Sequence, residues 1–267
     1  MRKISCALTI AGLDPGGGAG IAADLRAFAA AGAFGCAVVA LLTVQSTSGL
    51  VSSRPVPSHL VLAQAREVVG RQRVRALKIG ALGSVDNVRA IARWLRSQPR
   101  MPSVVDPVLL PSRGRGRLLA ERGLAALRDE VVPQALLVTA NAPEAQSILD
   151  RPVTSVTDAC DAALAMCALG ARAALIKGGH LPGKLAVDVL AIGGKVFELS
   201  APRMSLPPLH GGGCVLASLI AGRLAADERG GETEARLLRA VRWARAAHRA
   251  ALRRSWDVGG TSRVLIP

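Results

Sequence analysis

The stretch SCALTIAGLDPGGGAGIAADLRAFAAAG, residues 5–32, decides the fold class. Its opening segment, Ser5–Ala11, is short and apolar, as a strand buried on both faces of a parallel sheet must be. Gly12–Gly20 follows with five glycines and one proline, a turn composition. Ile21, Leu25, Phe28 and Ala29 then recur at helical spacing, and Gly32 supplies the stop. Beyond it, Cys36–Val44 reads as a second buried strand.

The same grammar continues to the C-terminus. Ser58 is expected to cap a helix reaching about Gln72, followed by a strand at Ala76–Ile79 and a helix at Val85–Ser97. Further strands are expected at Val104-Val105, Leu136–Thr139 and Ala173–Ile176. A hairpin, Val187–Ile192 with Val196–Leu199, turns through Gly193-Gly194. One closing helix opens at Gly213 and another covers roughly Glu232–Trp256. Alternation of this kind predicts an α/β fold with a mostly parallel central sheet and helices on both faces. No linker, repeat or break in composition divides it, so residues 1–267 are expected to form one domain.

Composition narrows the function. Half of the residues are hydrophobic, which excludes a disordered chain. The formal net charge of +15 raises nucleic acid and anionic membranes as partners. Against this, the cations are scattered, five Lys among many Arg, and three Phe with three Trp leave little for bases to stack on. No nucleic-acid partner is expected. Five cysteines without close pairs fit neither a disulfide scaffold nor a zinc ribbon, so a reducing cytoplasm is expected. Met1-Arg2-Lys3 before Ile4–Gly12 imitates a signal peptide, but Asp14-Pro15-Gly16 is no cleavage site. Ala27–Val44 is free of charge for eighteen residues, long enough to span a bilayer, yet Gly32 and Gly35 split it into a helix end and a strand. No membrane span is expected.

In open parallel sheets, ligands bind beyond the carboxyl ends of the strands. Polar residues gather there: Asp14, Gln45, Lys78, Asp106, Asn141 and Lys177. Two glycine-rich segments, Gly16–Gly20 and Gly211–Cys214, each open a helix, and bare N–H groups at a helix start attract anions. Either segment also serves as a plain tight turn. Lys78 and Lys177 fit a compact point charge at a site or an ordinary solvated lysine. Cys214 fits a thiolate lowered by the helix terminus or a small buried hydrophobe. His210 fits a phosphate contact or a plain turn residue, and the turn residue is expected. Asn141 and Glu144 fit either a Mg²⁺ site or an Asn cap.

Together the segments resemble the hydroxymethylpyrimidine/phosphomethylpyrimidine kinases of thiamine biosynthesis, in the ribokinase-like superfamily. The matching stretches are ALTIAGLDPGGGAGIAADL (7–25), LLTVQSTSG (41–49), LKIGALGS (77–84), VVDPVL (104–109), TANAPEA (139–145), IKGGHL (176–181) and APRMSLPPLHGGGCVLASLIA (201–221). They cover nearly the whole chain in the family's order. The resemblance implies a ribokinase-like kinase that uses Mg-ATP to phosphorylate an aminopyrimidine alcohol and then its monophosphate. It implies a cytoplasmic homodimer as well. Asp24 and Gln45 would hydrogen-bond the pyrimidine, in a pocket lined by Gly12, Ala19 and Ala81. Lys177 would neutralise the transferring phosphoryl group. Asp106, Asn141 and Glu144 would organise the nucleotide phosphates, with Asp106 and Glu144 on Mg²⁺. Gly211, Gly212 and Gly213 would form an anion hole, with Cys214 in the place of the superfamily's catalytic Asp. A Cys214 thiolate would serve as base for the alcohol, while a monophosphate, with a second pKa near ~6, needs little from one.

The chain departs from the family pattern at several points. Gly212 stands for Thr, Ala81 for Met, Ser46 for Asn and Ala140 for Pro, and Pro111-Ser112-Arg113-Gly114 lacks the family's Lys. These departures leave two alternatives: a pyridoxal kinase, or a catalytically weak pyrimidine- or nucleotide-binding homologue.

Overall fold

The computed structural model describes residues 3–110 and 118–267. The chain starts with β1 (Cys6–Leu13), α1 (Gly20–Ala30) and β2 (Phe34–Ser46). It continues through β3 (Gly49–Pro55), α2 (Ser58–Arg71), β4 (Val74–Ile79), α3 (Val85–Arg96) and β5 (Ser103–Val105). Next come α4 (Glu121–Ala126), a π-helical turn and a 3₁₀ turn, then β6 (Leu137–Asn141), α5 (Ala142–Leu149), α6 (Val156–Ala168) and β7 (Ala173–Lys177). The last part holds β8 (Leu185–Ile192), β9 (Lys195–Pro202), β10 (Leu209–His210), α7 (Gly212–Ala226), α8 (Thr233–Arg253) and β11 (Arg263–Val264).

Nine strands form one sheet in the order β3-β2-β1-β4-β5-β6-β7-β8-β9. From β2 to β7 every pairing is parallel, and β3, β8 and β9 add antiparallel edges. The fold is therefore the mostly parallel α/β sheet of the sequence reading. β10 and β11 pair separately; neither has enough residues to leave a sequence pattern.

Alternation within β1 shows how the layers divide. Cys6, Leu8 and Ile10 join a core built with α2, α3, α5 and α6, whereas Ala7 joins one built with α1, α7 and α8. Both faces of the sheet are thus covered, which is why its central strands read as unbroken apolar runs. The charge-free segment 27–44 resolves into the end of α1 and most of β2. Among the described residues no helix is long and apolar enough to cross a membrane.

Two helix starts differ from expectation. Ser58 is the first helical residue rather than the cap, because Pro57 occupies that position with φ −53°. α7 begins at Gly212, with Gly211 as its left-handed N-cap at φ 77°. A Cβ on Gly211 would run into the carbonyl oxygen of Gly18. The two glycine-rich turns therefore touch, and only glycine permits that approach.

Candidate active site

The carboxyl ends of the parallel strands collect the polar residues at one edge of the sheet. They line two adjoining cavities. The smaller, about 60 Å³, is walled by Gly12, Asp14, Ala19, Gln45, Lys78, Ala81, His210 and Cys214 among others. The larger cleft, about 710 Å³, is bordered by Asp106, Asn141, Glu144, Lys177, Gly211–Cys214 and residues of α8. Cys214 faces both.

Asp14 organises the first glycine turn. Its Oδ1 accepts the Gly16 N–H at 2.9 Å and its Oδ2 the Ala19 N–H at 2.9 Å. His210 Nε2 lies 2.8 Å from Asp14 Oδ2 and 3.1 Å from the Gln45 amide. Burial works against the Asp14 charge, but the His210 contact and the two N–H groups hold its carboxyl below the usual range. A carboxylate only accepts, so His210 Nε2 carries the proton. Gln45 sets its amide Nε2 against the same ring nitrogen at 3.1 Å, a donor facing a donor, so the contact becomes a hydrogen bond only with the amide turned to present its oxygen. His210 is therefore a wall of the cavity, not the plain turn residue expected.

Asp24 has a different place. It is fully buried, and Thr9 Oγ1 (2.6 Å), Ser218 Oγ (2.6 Å) and Lys78 Nζ (3.1 Å) all donate to its carboxylate. It is not among the residues that line the smaller cavity, where the resemblance would set it against a pyrimidine, but its partner Lys78 is. The work of Asp24 is to hold Lys78, which has no exposed surface yet keeps its charge: burial opposes the ammonium, and Asp24 with its neighbours raises its pKa regardless. Sequence reading singled out Lys78 only as a strand-end lysine; its partner, 54 residues away, leaves no local pattern.

Lys177, at the end of β7, stands between two carboxylates. Its Nζ is 2.9 Å from Asp106 Oδ1 and 3.4 Å from Glu144 Oε2. Burial opposes both charges of the Lys177–Asp106 pair, but their mutual attraction wins, raising the lysine and lowering the aspartate. Glu144 goes the other way: burial and nearby Asp106 outweigh Lys177 and raise its pKa. Asn141 is the N-cap of α5, in a reciprocal capping box with Glu144 at 2.8 Å each way. The Asn cap is thus present, and it fixes the Glu144 carboxylate beside Lys177.

The Gly211–Gly213 turn supplies the anion-attracting element. No side chain caps the first turn of α7, so its leading N–H groups are left to a ligand. A Cβ on Gly213 would lie 3.1 Å from Lys177 Nζ, so the ammonium sits against this turn.

Cys214 is not a resting thiolate. Burial pushes its thiol up to about 12, against the pull of Lys78 and the Gly20 N–H, while Asp106 and Asp24 add to the rise. A helix terminus is worth about 0.3–1 kcal/mol, less than one pKa unit, and cannot reverse that.

Mg²⁺ takes oxygen ligands, few of them from protein, and keeps water and substrate phosphates as the rest. Asp106 Oδ2 and Glu144 Oε1 make no hydrogen bond among the described residues and border the larger cleft. No group of three or more His, Cys, Asp or Glu among the described residues is placed to hold a metal ion by itself. Two carboxylates that complete their shell with phosphates fit this ion.

The departures fall unevenly. Ala81 lines the small cavity, Ser46 is exposed, and Ala140 is buried in the sheet. Pro111-Ser112-Arg113-Gly114 lies outside the described residues. A Cβ at Gly212 would meet nothing closer than 4.0 Å, so a larger residue has room there.

Comparison with known proteins gives a consistent result. The family model described as phosphomethylpyrimidine kinase matches residues 14–265. The hydroxymethylpyrimidine/phosphomethylpyrimidine kinase of Escherichia coli (strain K12) is 38% identical over 222 residues, 83% of each chain. The crystal structure of the phosphomethylpyrimidine kinase of Clostridium difficile 630 superposes with a TM-score of 0.78 at 32% identity, covering 93% of this chain and 99% of that one. The ADP complex of Bacillus subtilis pyridoxal kinase superposes with a TM-score of 0.88 at 28% identity, covering 98% and 97%.

Proposed function

The chain belongs to the phosphomethylpyrimidine kinase family, and from that premise we propose that it phosphorylates 4-amino-5-hydroxymethyl-2-methylpyrimidine and then its monophosphate, using ATP, in thiamine biosynthesis. The observation that carries this reading is the junction of the two cavities. A polar-walled pocket meets a cleft bordered by a helix start and Lys177, with Cys214 at the boundary.

The heterocycle occupies the smaller cavity, between Gly12, Ala19 and Ala81, and Gln45 meets it with the amide edge set by His210. The nucleotide occupies the larger cleft. Phosphoryl transfer asks a protein mainly for positioning and for stabilisation of spreading negative charge. Lys177 and the N–H groups of Gly211–Cys214 supply that stabilisation where the γ-phosphoryl group moves. Asp106 and Glu144 would hold Mg²⁺, which neutralises phosphate charge when bound. Asp106 and Glu144 also keep Lys177 charged and in place.

A neutral thiol cannot take a proton, so Cys214 acts on the acceptor hydroxyl by orienting it. In a loose transition state the hydroxyl proton leaves late and passes to an oxygen of the transferred phosphoryl group, which makes an early base unnecessary. The family resemblance supports a homodimer, and five cysteines without close pairs support a reducing compartment such as the cytoplasm.

Incubation with Mg-ATP and the pyrimidine alcohol, with pyridoxal in a parallel reaction, tests the assignment by product mass. Sequential mono- and diphosphate of the pyrimidine is the expected result. Pyridoxal phosphate alone would reassign the enzyme to vitamin B6, a reading that the small Ala81 in the pocket wall and the likeness to a pyridoxal kinase favour. Nucleotide binding without any product would mark a weak homologue.

A further inference from the structure

Gly211, Gly212 and Gly213 are consecutive, so no β-carbon restricts the peptide planes between them. They open α7, whose first turn has no capping side chain. An untied helix start of this kind frays. One side chain from another helix reaches it. His248, on α8, places its Nε2 2.9 Å from the Gly212 carbonyl oxygen.

A carbonyl only accepts, so Nε2 carries the proton and donates. Burial, with Lys177 and Arg245 nearby, drives the imidazole pKa down to about 4, against the opposing pull of Asp188 and the carbonyl. The ring is therefore neutral and in one tautomer. In a trans peptide the C=O of one residue and the N–H of the next point in opposite directions. Whatever holds the Gly212 carbonyl thus sets where the Gly213 N–H aims.

The same helix face reaches the turn Gly178–His180 that follows β7 and borders the larger cleft. Arg245 Nε donates to Asp188 Oδ2 at 2.7 Å, and Asp188 Oδ1 accepts the Gly178 N–H at 2.7 Å, next to Lys177. Residues 245 and 248 are one turn apart on α8. A single helix therefore ties down both turns that flank the larger cleft.

We propose that His248 is a positioning residue: by gripping the Gly212 carbonyl it keeps the Gly213 N–H aimed at the terminal phosphoryl group of the nucleotide. This rests on the kinase reading for its nucleotide, but not on the identity of the acceptor. The grip matters most for the group that is present in a triphosphate and absent in a diphosphate.

The test compares wild type, His248→Phe, His248→Gln and the double variant His248→Phe/Gly212→Ala. Calorimetry measures affinity for ADP and for a non-hydrolysable ATP analogue; steady-state assays measure kcat and acceptor KM. His248→Phe is expected to lose about 10-fold of the analogue-over-ADP preference and about 10- to 100-fold in kcat, with acceptor KM little changed. His248→Gln keeps an N–H donor at similar reach and restores most of the loss. Gly212→Ala, whose Cβ meets nothing closer than 4.0 Å, restores part of it in the double variant by stiffening the peptide. A wild-type analogue-to-ADP ratio in His248→Phe overturns the proposal, as does a loss that neither second change repairs. Should His248→Phe fail to fold, His248→Asn, which keeps the amide but falls short of the carbonyl, carries the comparison with His248→Gln. Failure of the wild type to phosphorylate the pyrimidine would refute the assigned acceptor and leave the nucleotide ratio as the test of His248.

Discussion

Cys214 and Asp24 show how far a residue's chemistry depends on surroundings that its neighbours in sequence do not reveal. A helix start within Gly211–Cys214 is legible to within one residue, and so is a cysteine in its first turn. The carboxylates around that sulfur, Asp24 on α1 and Asp106 just after β5, are far away in the sequence, and with burial they oppose the thiolate that the resemblance implies. Cys214→Ala is expected to lose alcohol phosphorylation much more than monophosphate phosphorylation, because only the alcohol needs its hydroxyl oriented. Cys214→Ser keeps a hydrogen-bonding group and should retain activity within about 10-fold, whereas an obligate thiolate would make Ser as poor as Ala. No limb from this thiol should enter the alcohol's pH–rate profile between about pH 6 and 9. Asp24 carries the converse lesson, since its partners occupy both carboxylate oxygens. Asp24→Asn should leave Lys78 buried without its counter-charge and cost about 3–5 kcal/mol of stability, read as a lowered thermal midpoint. A normal midpoint with a raised pyrimidine KM would return Asp24 to the binding site.

Among the elements, most strands and helices with strong local punctuation are legible in the sequence, but α6 is absent from that reading although Ser155 and Asp158 form a capping box at its start. β1, α1 and the β8–β9 hairpin announce themselves by apolar runs and glycine turns. β3 is largely polar and exposed, so its pairing with β2 has no signature in its own residues. Helix α5 illustrates a motif with two roles. Asn141 caps it and Glu144 closes the box, and the same carboxylate then faces Lys177. Asn141→Ala is expected to cost about 1 kcal/mol, lowering the thermal midpoint by about 2–4 °C. Because the cap also fixes Glu144, kcat should fall in the same variant; an unchanged kcat would separate the cap from the site.

For the whole molecule, the order of strands made the site legible before any distance was known. Parallel strands place their carboxyl ends at one edge, and six polar strand-end residues were visible there in the sequence. What stayed hidden was the division of that edge into two cavities, and α8, which reaches the site from the last fifth of the chain. Charge behaves likewise: Asp227 takes Arg236 and Arg239, and Asp188 takes Arg245, so much of the basic α8 is already paired. Filter binding to nucleic acid at moderate salt should therefore be weak. Acid should destabilise the fold through Asp14 and Asp106, whose folded pKa values lie below the ordinary 3.8. A depressed carboxylate stabilises above its unfolded value, so urea midpoints should hold at neutral pH and fall as pH drops below about 4. The central claim is that main-chain N–H groups of Gly211–Cys214, beside Lys177, receive the transferring phosphoryl group. A crystal structure with a non-hydrolysable ATP analogue tests it most directly. The terminal phosphate should lie within hydrogen-bond distance of at least two of those N–H groups and of Lys177 Nζ; a phosphate held elsewhere, by side chains alone, would contradict it.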